Sequence, residues 1–273
     1  MKQKSILSLD NHFSFSGLST FKTCKEQFKI VYIDGLRKEQ ESIEAYMGKC
    51  VHETLEWLYN PQNRAKPYIT FDRICRTYDE IWVENWHDKI HIPNYRCTTD
   101  ELYTTGKRCL SNYYNKYGPI FSEKVVETEL LLEFTIDGKY LFKGVIDRLD
   151  QPSKGKFVIH DYKTGKRTKM QKAAQKDLQL AMYQIAIEQH FEQVDEVVLK
   201  WHYLRKGIEV CVKHSESDIL NIKKQLVEKV DEIIITSNNL SNFYPKESRL
   251  CDWCFLWEEC SAKSGSNPAM KAK

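Results

Sequence analysis

Asp147, Asp161 and Lys163 are the side chains of this sequence best placed to do chemistry together. They lie in two neighbouring strand-like runs, GVID at 144–147 and IHDYK at 159–163. In an extended strand side chains alternate, so Asp161 and Lys163 share a face and Tyr162 points away. A short turn, QPSKGK at 151–156, separates the two runs. If they pair as a hairpin, two carboxylates and one ammonium converge on a single patch. That set suits a divalent metal and a water held for attack on a phosphodiester. Asp and Lys two apart also occur on idle, solvated strand faces, so the remainder of the sequence has to decide.

A second set is built from sulfur. Cys251, Cys254 and Cys260 fall within ten residues in CDWCFLWEEC, which is a metal-ligand spacing. Cys24, in the first helix, is the candidate fourth ligand and would tie the two ends of the chain together. Four cysteinates suit either zinc or a [4Fe–4S] cluster. The spacing is not the paired C-x2-C of a zinc ribbon, which points to iron–sulfur with zinc as the alternative. The opening residues, MKQKSILSLDNHFSFS, lack the apolar stretch of an export signal, so a cytoplasmic setting with reduced thiols is expected. Cys50, Cys75, Cys97, Cys109 and Cys211 have no ligand-like spacing and read as small buried or half-buried residues.

The elements that must position these groups can be read from periodicity. Residues 16–34 read as a first helix, 44–59 as a second, and about 71–89 and 99–117 as two more, with a proline-containing loop at 60–68. The stretch 60–120 therefore reads as an aromatic helical insertion. Strands follow at 124–136, 139–150 and 156–165, the first two joined by the Asp137-Gly138 hairpin signal. Then come a helix at 171–191, strands at 195–204 and 208–213 around Lys206-Gly207, a helix at 215–237, and a polar tail at 263–273 that reads as disordered. With 273 residues and 29% charged side chains this is an ordinary globular chain, and no apolar run reaches the roughly 18 residues of a membrane span. Net charge is only +3, so any nucleic-acid contact must come from a local patch. The run 163–176 is one, with six Lys or Arg and no acid.

Taken in order, these features resemble the RecB-like branch of the PD-(D/E)XK nuclease superfamily. More narrowly they resemble its iron–sulfur members, the CRISPR-associated RecB-like exonucleases and the nuclease domain of AddB. The matching residues run from Ser14 to Cys260: SFSGLSTFKTCKEQFK with Cys24, GKCVHETLE with His52 as the motif histidine, GVIDRLD, HDYKTGK, QLAMY with Gln179 and Tyr183, and CDWCFLWEEC. Lys25 departs from the proline that relatives often carry after the first cysteine, and Asp161 stands where many have Glu.

The resemblance implies an α/β, restriction-endonuclease-like core with a central mixed sheet flanked by helices, a helical insertion and a C-terminal iron–sulfur segment, all in one domain over 1–262. It implies Mg²⁺ or Mn²⁺ held by Asp147, Asp161, His52 and the Tyr162 carbonyl, with Lys163 positioning the attacking water or holding the phosphate. It implies a cluster on Cys24, Cys251, Cys254 and Cys260. It also implies DNA contacts by Gln179 and Tyr183, with Lys166, Arg167 and Lys169 of the basic run beside them. The expected activity is metal-dependent exonuclease action on single-stranded DNA or DNA ends. The other reading is a non-cleaving DNA-binding or scaffold subunit of a larger helicase–nuclease or spacer-acquisition complex, with 60–120 as the surface for protein partners.

Overall fold

The computed structural model describes residues 12–65, 68–92 and 98–270. Cys97 and the end of the polar tail, 271–273, lie outside them. The elements in chain order are α1 (Phe15–Thr23), α2 (Lys25–Phe28), β1 (Glu41–Ser42), α3 (Ile43–Tyr59), α4 (Pro61–Arg64), α5 (Phe71–Glu84), β2 (Ile90–His91), α6 (Thr99–Tyr117), β3 (Val125–Ile136), β4 (Tyr140–Ser153), β5 (Lys156–Lys163), α7 (Gln171–Ala174), α8 (Leu178–His190), β6 (Glu196–Tyr203), β7 (Ile208–Val212) and α9 (Glu216–Ser237). The chain forms an α/β fold around a five-stranded mixed sheet in the order β3-β4-β5-β6-β7. β4 and β5 are antiparallel, β5 and β6 parallel, and β6 and β7 antiparallel. The β4–β5 turn needs Gly155 at φ +73, and the close approach of Asp195 leaves no room for a Cβ there. No helix among the described residues is long and apolar enough to cross a membrane.

Two compact units interleave along the sequence. One holds 41–132 and 145–215, and in it α3 packs against α5 and α6. Ser42 caps α3 by accepting the Ala45 N–H at 3.2 Å, and a Thr98–Glu101 capping box starts α6. Tyr46, Met47, Val51, Leu55 and Leu58 of α3 are all buried. Each such side chain contributes about 1.5–3 kcal/mol through removal of apolar area from water. The described residues of 60–120 thus share one core with α3 and with Tyr162 of β5. Tyr113 of α6 reaches the buried face of β4 and β5, where Arg148 is fully enclosed. Arg148 donates to Tyr113 and to the Tyr162 hydroxyl (3.1 Å), and pairs with Asp150 at 2.9 Å. Removing one partner of such a buried pair typically costs about 3–5 kcal/mol.

The other unit holds residues up to 40, 133–144 and 216 onward. In its core Phe28 stacks on Phe243 while Phe21 meets both rings edge-on, and Asp231 of α9 accepts from Tyr140 and Lys139. The expected first helix over 16–34 is interrupted here. Cys24 adopts an extended backbone (φ −156, ψ 114) between α1 and α2, and the chain then continues as a π-turn over Lys29–Ile33. The expected helix over 171–191 is broken as well. Asp177 caps α8 by accepting the Gln179 N–H at 2.9 Å, which ends the short α7 before it. The polar tail is not featureless over 263–270. Asn267 is buried and donates to the carbonyls of Cys251 (2.9 Å) and Cys254 (3.4 Å), and Pro268–Met270 forms a 3-10 turn. Cys211 is exposed, against the expectation of a buried thiol.

Candidate active site

The register of β4 on β5 pairs Arg148 with His160 and Leu149 with Ile159, which sets Asp147 beside Asp161. Residues opposed in an antiparallel pair share a sheet face. Asp147 and Asp161 therefore project from one face, while Arg148, His160 and Tyr162 project from the other. Lys163, two residues beyond Asp161, grips both of its carboxylate oxygens at 2.7 and 2.9 Å. Asp147 accepts the Tyr162 N–H at 2.6 Å.

His52 arrives from α3. It stands one turn after Gly48, where an added Cβ would lie 3.0 Å from the Thr164 hydroxyl, so glycine lets α3 come close to the end of β5. His52 Nε2 sits 2.9 Å from the Tyr162 carbonyl and Nδ1 sits 3.6 Å from Asp147. A carbonyl cannot donate, so Nε2 carries the proton and Nδ1 keeps its lone pair. This is the arrangement that fixes a metal-ligating histidine. The Tyr162 carbonyl spends one lone pair on His52, so the expected direct metal contact would have only the other. The Tyr162 side chain belongs to the opposite face and is buried against Arg148.

Glu129 escapes sequence reasoning. It lies in the middle of β3 with φ +47, an uncommon backbone for a side-chain-bearing residue, and this kink turns its carboxylate toward His52 and Asp147. One potential ligand atom from each of the three lies within 4.8 Å of the others. In sequence it is one of several glutamates in an alternating strand, and no residue pattern marks the kink.

The electrostatics of this group suit a cation. Burial pushes the carboxyls of Asp147 and Asp161 up to about 6. Burial and the Asp147 charge push Glu129 up to about 7. Burial lowers His52, which favours the neutral imidazole. For Lys163 burial works against the charge, but Asp161 outweighs it and the amine stays protonated. Three carboxylates and one ammonium sum to −2, the charge that one divalent ion neutralises. The donors are hard oxygens with one imidazole, a set that fits Mg²⁺ and Mn²⁺. The raised carboxyls set a pH dependence of stability. Their native values lie above the ordinary unfolded ones near 4, so the stability they contribute is present in acid and is lost as pH rises through about 6–7. Metal-free protein should therefore melt at lower temperature at pH 8 than at pH 5.5, and Mg²⁺ or Mn²⁺ should reverse the loss at pH 8. Scanning calorimetry with chelator or added metal reads both.

The remaining expected residues divide. Gln179, at the start of α8, is 3.3 Å from Lys163 Nζ, and Tyr183 follows one turn later on the same helix. Tyr183 is 7% exposed, so it offers no open stacking surface. Lys169 is tied to Asp177, the cap of α8. Lys166, Arg167 and Lys169 are all exposed on the loop after β5.

Within the other unit, Cys24, Cys251, Cys254 and Cys260 border one cavity of about 50 Å³, with Ile30, Leu250 and Leu256 also on its wall. The Lys246 N–H points to Cys24 Sγ (3.5 Å) and the Ser248 N–H to Cys251 Sγ (3.4 Å). Backbone donors aimed at sulfur suit thiolates. Burial raises Cys254, which a bound cationic centre would reverse.

Comparison with known proteins supplies the family. The sequence profile of the PD-(D/E)XK nuclease superfamily matches residues 12–261. The crystal structure of a "Putative exonuclease" from Eubacterium rectale aligns over 93% of this chain and 92% of its own, with TM-score 0.50 and 14% identity. At that identity the likeness concerns the fold. A second solved structure, SSO0001, aligns over 92% of this chain and 96% of its own at 17% identity, and its TM-score of 0.33 carries no argument. No curated protein matches the sequence. The chain belongs to the PD-(D/E)XK nuclease superfamily.

Proposed function

We propose that, within this superfamily, the protein is a Mg²⁺- or Mn²⁺-dependent deoxyribonuclease of the RecB-like iron–sulfur branch. It acts in the cytoplasm as an exonuclease on single-stranded DNA or DNA ends. The observation that carries the reading is the grouping of His52, Glu129 and Asp147 within ligand reach of one another, with Asp161 and its ion-paired Lys163 beside Asp147 on the same sheet face. A divalent ion held there would acidify a water and offset charge on the reacting phosphate.

The chain's own groups have distinct tasks. Asp147 and Asp161 supply hard oxygen ligands, and the Tyr162 N–H fixes the orientation of the first. His52 offers Nδ1 while its Nε2 proton anchors the ring to the Tyr162 carbonyl. Lys163, held protonated by Asp161, suits stabilising the phosphate's negative charge better than removing a proton. Gln179 steadies the ammonium from α8.

The four cysteines suit a [4Fe–4S] cluster with a clamping role. They surround a cavity of about 50 Å³, larger than one bound ion needs. Zinc bonds of about 2.3 Å would draw four sulfurs around one point.

The test is digestion of end-labelled single- and double-stranded DNA, linear and circular, with Mg²⁺, Mn²⁺ or chelator. Metal-dependent loss of label from linear single strands, with circles spared, is the expected result. Metal-dependent cutting of circles would replace exonuclease by endonuclease, and no cleavage with any metal would remove the enzymatic reading.

A further inference from the structure

We propose a second binding site in the unit that carries the cysteines: a lysine-ringed cavity that takes a phosphate-bearing stretch of a nucleic-acid strand. It rests on the nuclease reading for the identity of the polyanion, but its residues lie outside the catalytic group. The cavity measures about 320 Å³ and is bordered by α1, α9 and the segment around Tyr244. Leu18, Phe21 and Ile233 are among its lining residues, and so are four lysines, Lys22, Lys25, Lys229 and Lys246.

Glu232 is the one carboxylate on the wall, and it is spent on Lys25 at 3.2 Å. Lys25 is further held over the Phe21 ring at 4.7 Å. Lys22, Lys229 and Lys246 have no carboxylate partner among the described residues. Three uncompensated positive charges around one concavity repel each other, and a polyanion relieves that repulsion. Tyr244, 60% exposed on the same wall, adds an aromatic face on which a base can stack. Cationic rim, apolar lining and exposed aromatic together match a nucleotide unit better than a bare inorganic anion, for which the apolar lining would be a cost.

The wall is also coupled to the sulfur centre. Lys246 borders both cavities and donates its N–H to Cys24 Sγ, while the Tyr244 carbonyl accepts the Glu26 N–H at 3.3 Å. A centre that pins Cys24 thereby sets where Tyr244 and Lys246 stand.

The test is fluorescence anisotropy of a labelled single-stranded oligodeoxynucleotide against the full chain, with chelator present to prevent cleavage, across a salt series. Each phosphate neutralised on a single strand contributes about 0.7 to the slope of log affinity against log salt. The triple variant Lys22→Ser, Lys229→Ser, Lys246→Ser should lose about 2 from that slope and at least about tenfold in affinity at low salt. Tyr244→Ala should weaken binding by about fivefold or more with the slope unchanged. The corresponding triple Lys→Arg variant should keep the wild-type slope, which guards against misfolding as the cause. An unchanged slope in the serine variant overturns the proposal. So does saturable displacement of the strand by a mononucleotide or inorganic phosphate that the serine variant loses, since the cavity would then serve a free small anion. Wild-type protein that cleaves DNA while ignoring the serine substitutions sinks this site alone. Wild-type protein that neither binds nor cleaves DNA sinks the nuclease reading with it.

Discussion

Asp147→Asn and Asp161→Asn should each abolish detectable DNA cleavage, with a loss exceeding about 10²–10³-fold, the usual effect of removing one preorganised electrostatic contact at a reacting centre. Both substitutions keep shape and remove one unit of negative charge. The four-group set then sums to −1 and no longer matches a divalent ion. In Asp147→Asn the new amide oxygen could still accept the Tyr162 N–H that Asp147 accepts at 2.6 Å, so the strand pair should hold. Metal-free Asp147→Asn should be at least as stable as wild type at pH 8, because a buried carboxylate that resists ionising has been replaced by an amide. That combination, lost activity with undiminished melting temperature, separates a ligand from a structural residue. Lys163→Ala should cost about 10²–10³-fold in rate while metal still binds by calorimetry. Glu129→Gln should weaken Mn²⁺ binding by about tenfold, the scale of a tuning ligand. Full activity in either aspartate variant would remove the assignment.

The parts of this site that were legible in the sequence are those fixed by strand periodicity and by short motifs. Alternation placed Asp161 and Lys163 on one face, and the structure joins them at 2.7 Å. The Gly-x3-His spacing put His52 one turn from the glycine that lets α3 approach β5. Strand order β3-β4-β5 followed from two short turns with left-handed residues at Asp137, Gly138 and Gly155.

What stayed hidden depended on tertiary context. Glu129 turns into the site through a kinked backbone that no local residue preference announces. Tyr183 reads as a DNA-contacting position, but α8 is buried along most of its length and takes the side chain with it. The aromatic stretch 60–120 showed no chemistry because its contribution is made through the buried face of the sheet. Tyr113 holds Arg148, whose neighbour in sequence is Asp147. The break in the first helix at Cys24 was invisible for a similar reason. The 16–34 pattern favours continuous helix, and it is overridden where Cys24 turns to the distant segment at 246–260.

Cys24→Ser should destabilise the unit that contains it more than any surface substitution, and should do so before altering the chemistry of the catalytic group. Cys24 is the only one of the four cavity cysteines on the N-terminal side of the chain. The segment from 249 to 270 has only 3-10 turns and no strand pairing of its own among the described residues. It is held by side-chain contacts such as Asn267 on the carbonyls of Cys251 and Cys254, and by the Ser261 N–H on Glu26 at 3.4 Å. With so little backbone pairing, the free energy of a four-thiolate centre becomes folding free energy. Serine is a poor ligand for such a centre, and losing the centre leaves the apolar wall of Ile30, Leu250 and Leu256 around a void. Anaerobically purified wild-type protein should be brown, absorb near ~400 nm and contain about four irons per chain. The Cys24→Ser variant should be pale, melt at markedly lower temperature and lose protease resistance first over 240–270. A colourless wild-type protein with one tightly bound zinc would keep the clamp and change its metal. A variant that melts with the wild type would show that the four thiols hold nothing together.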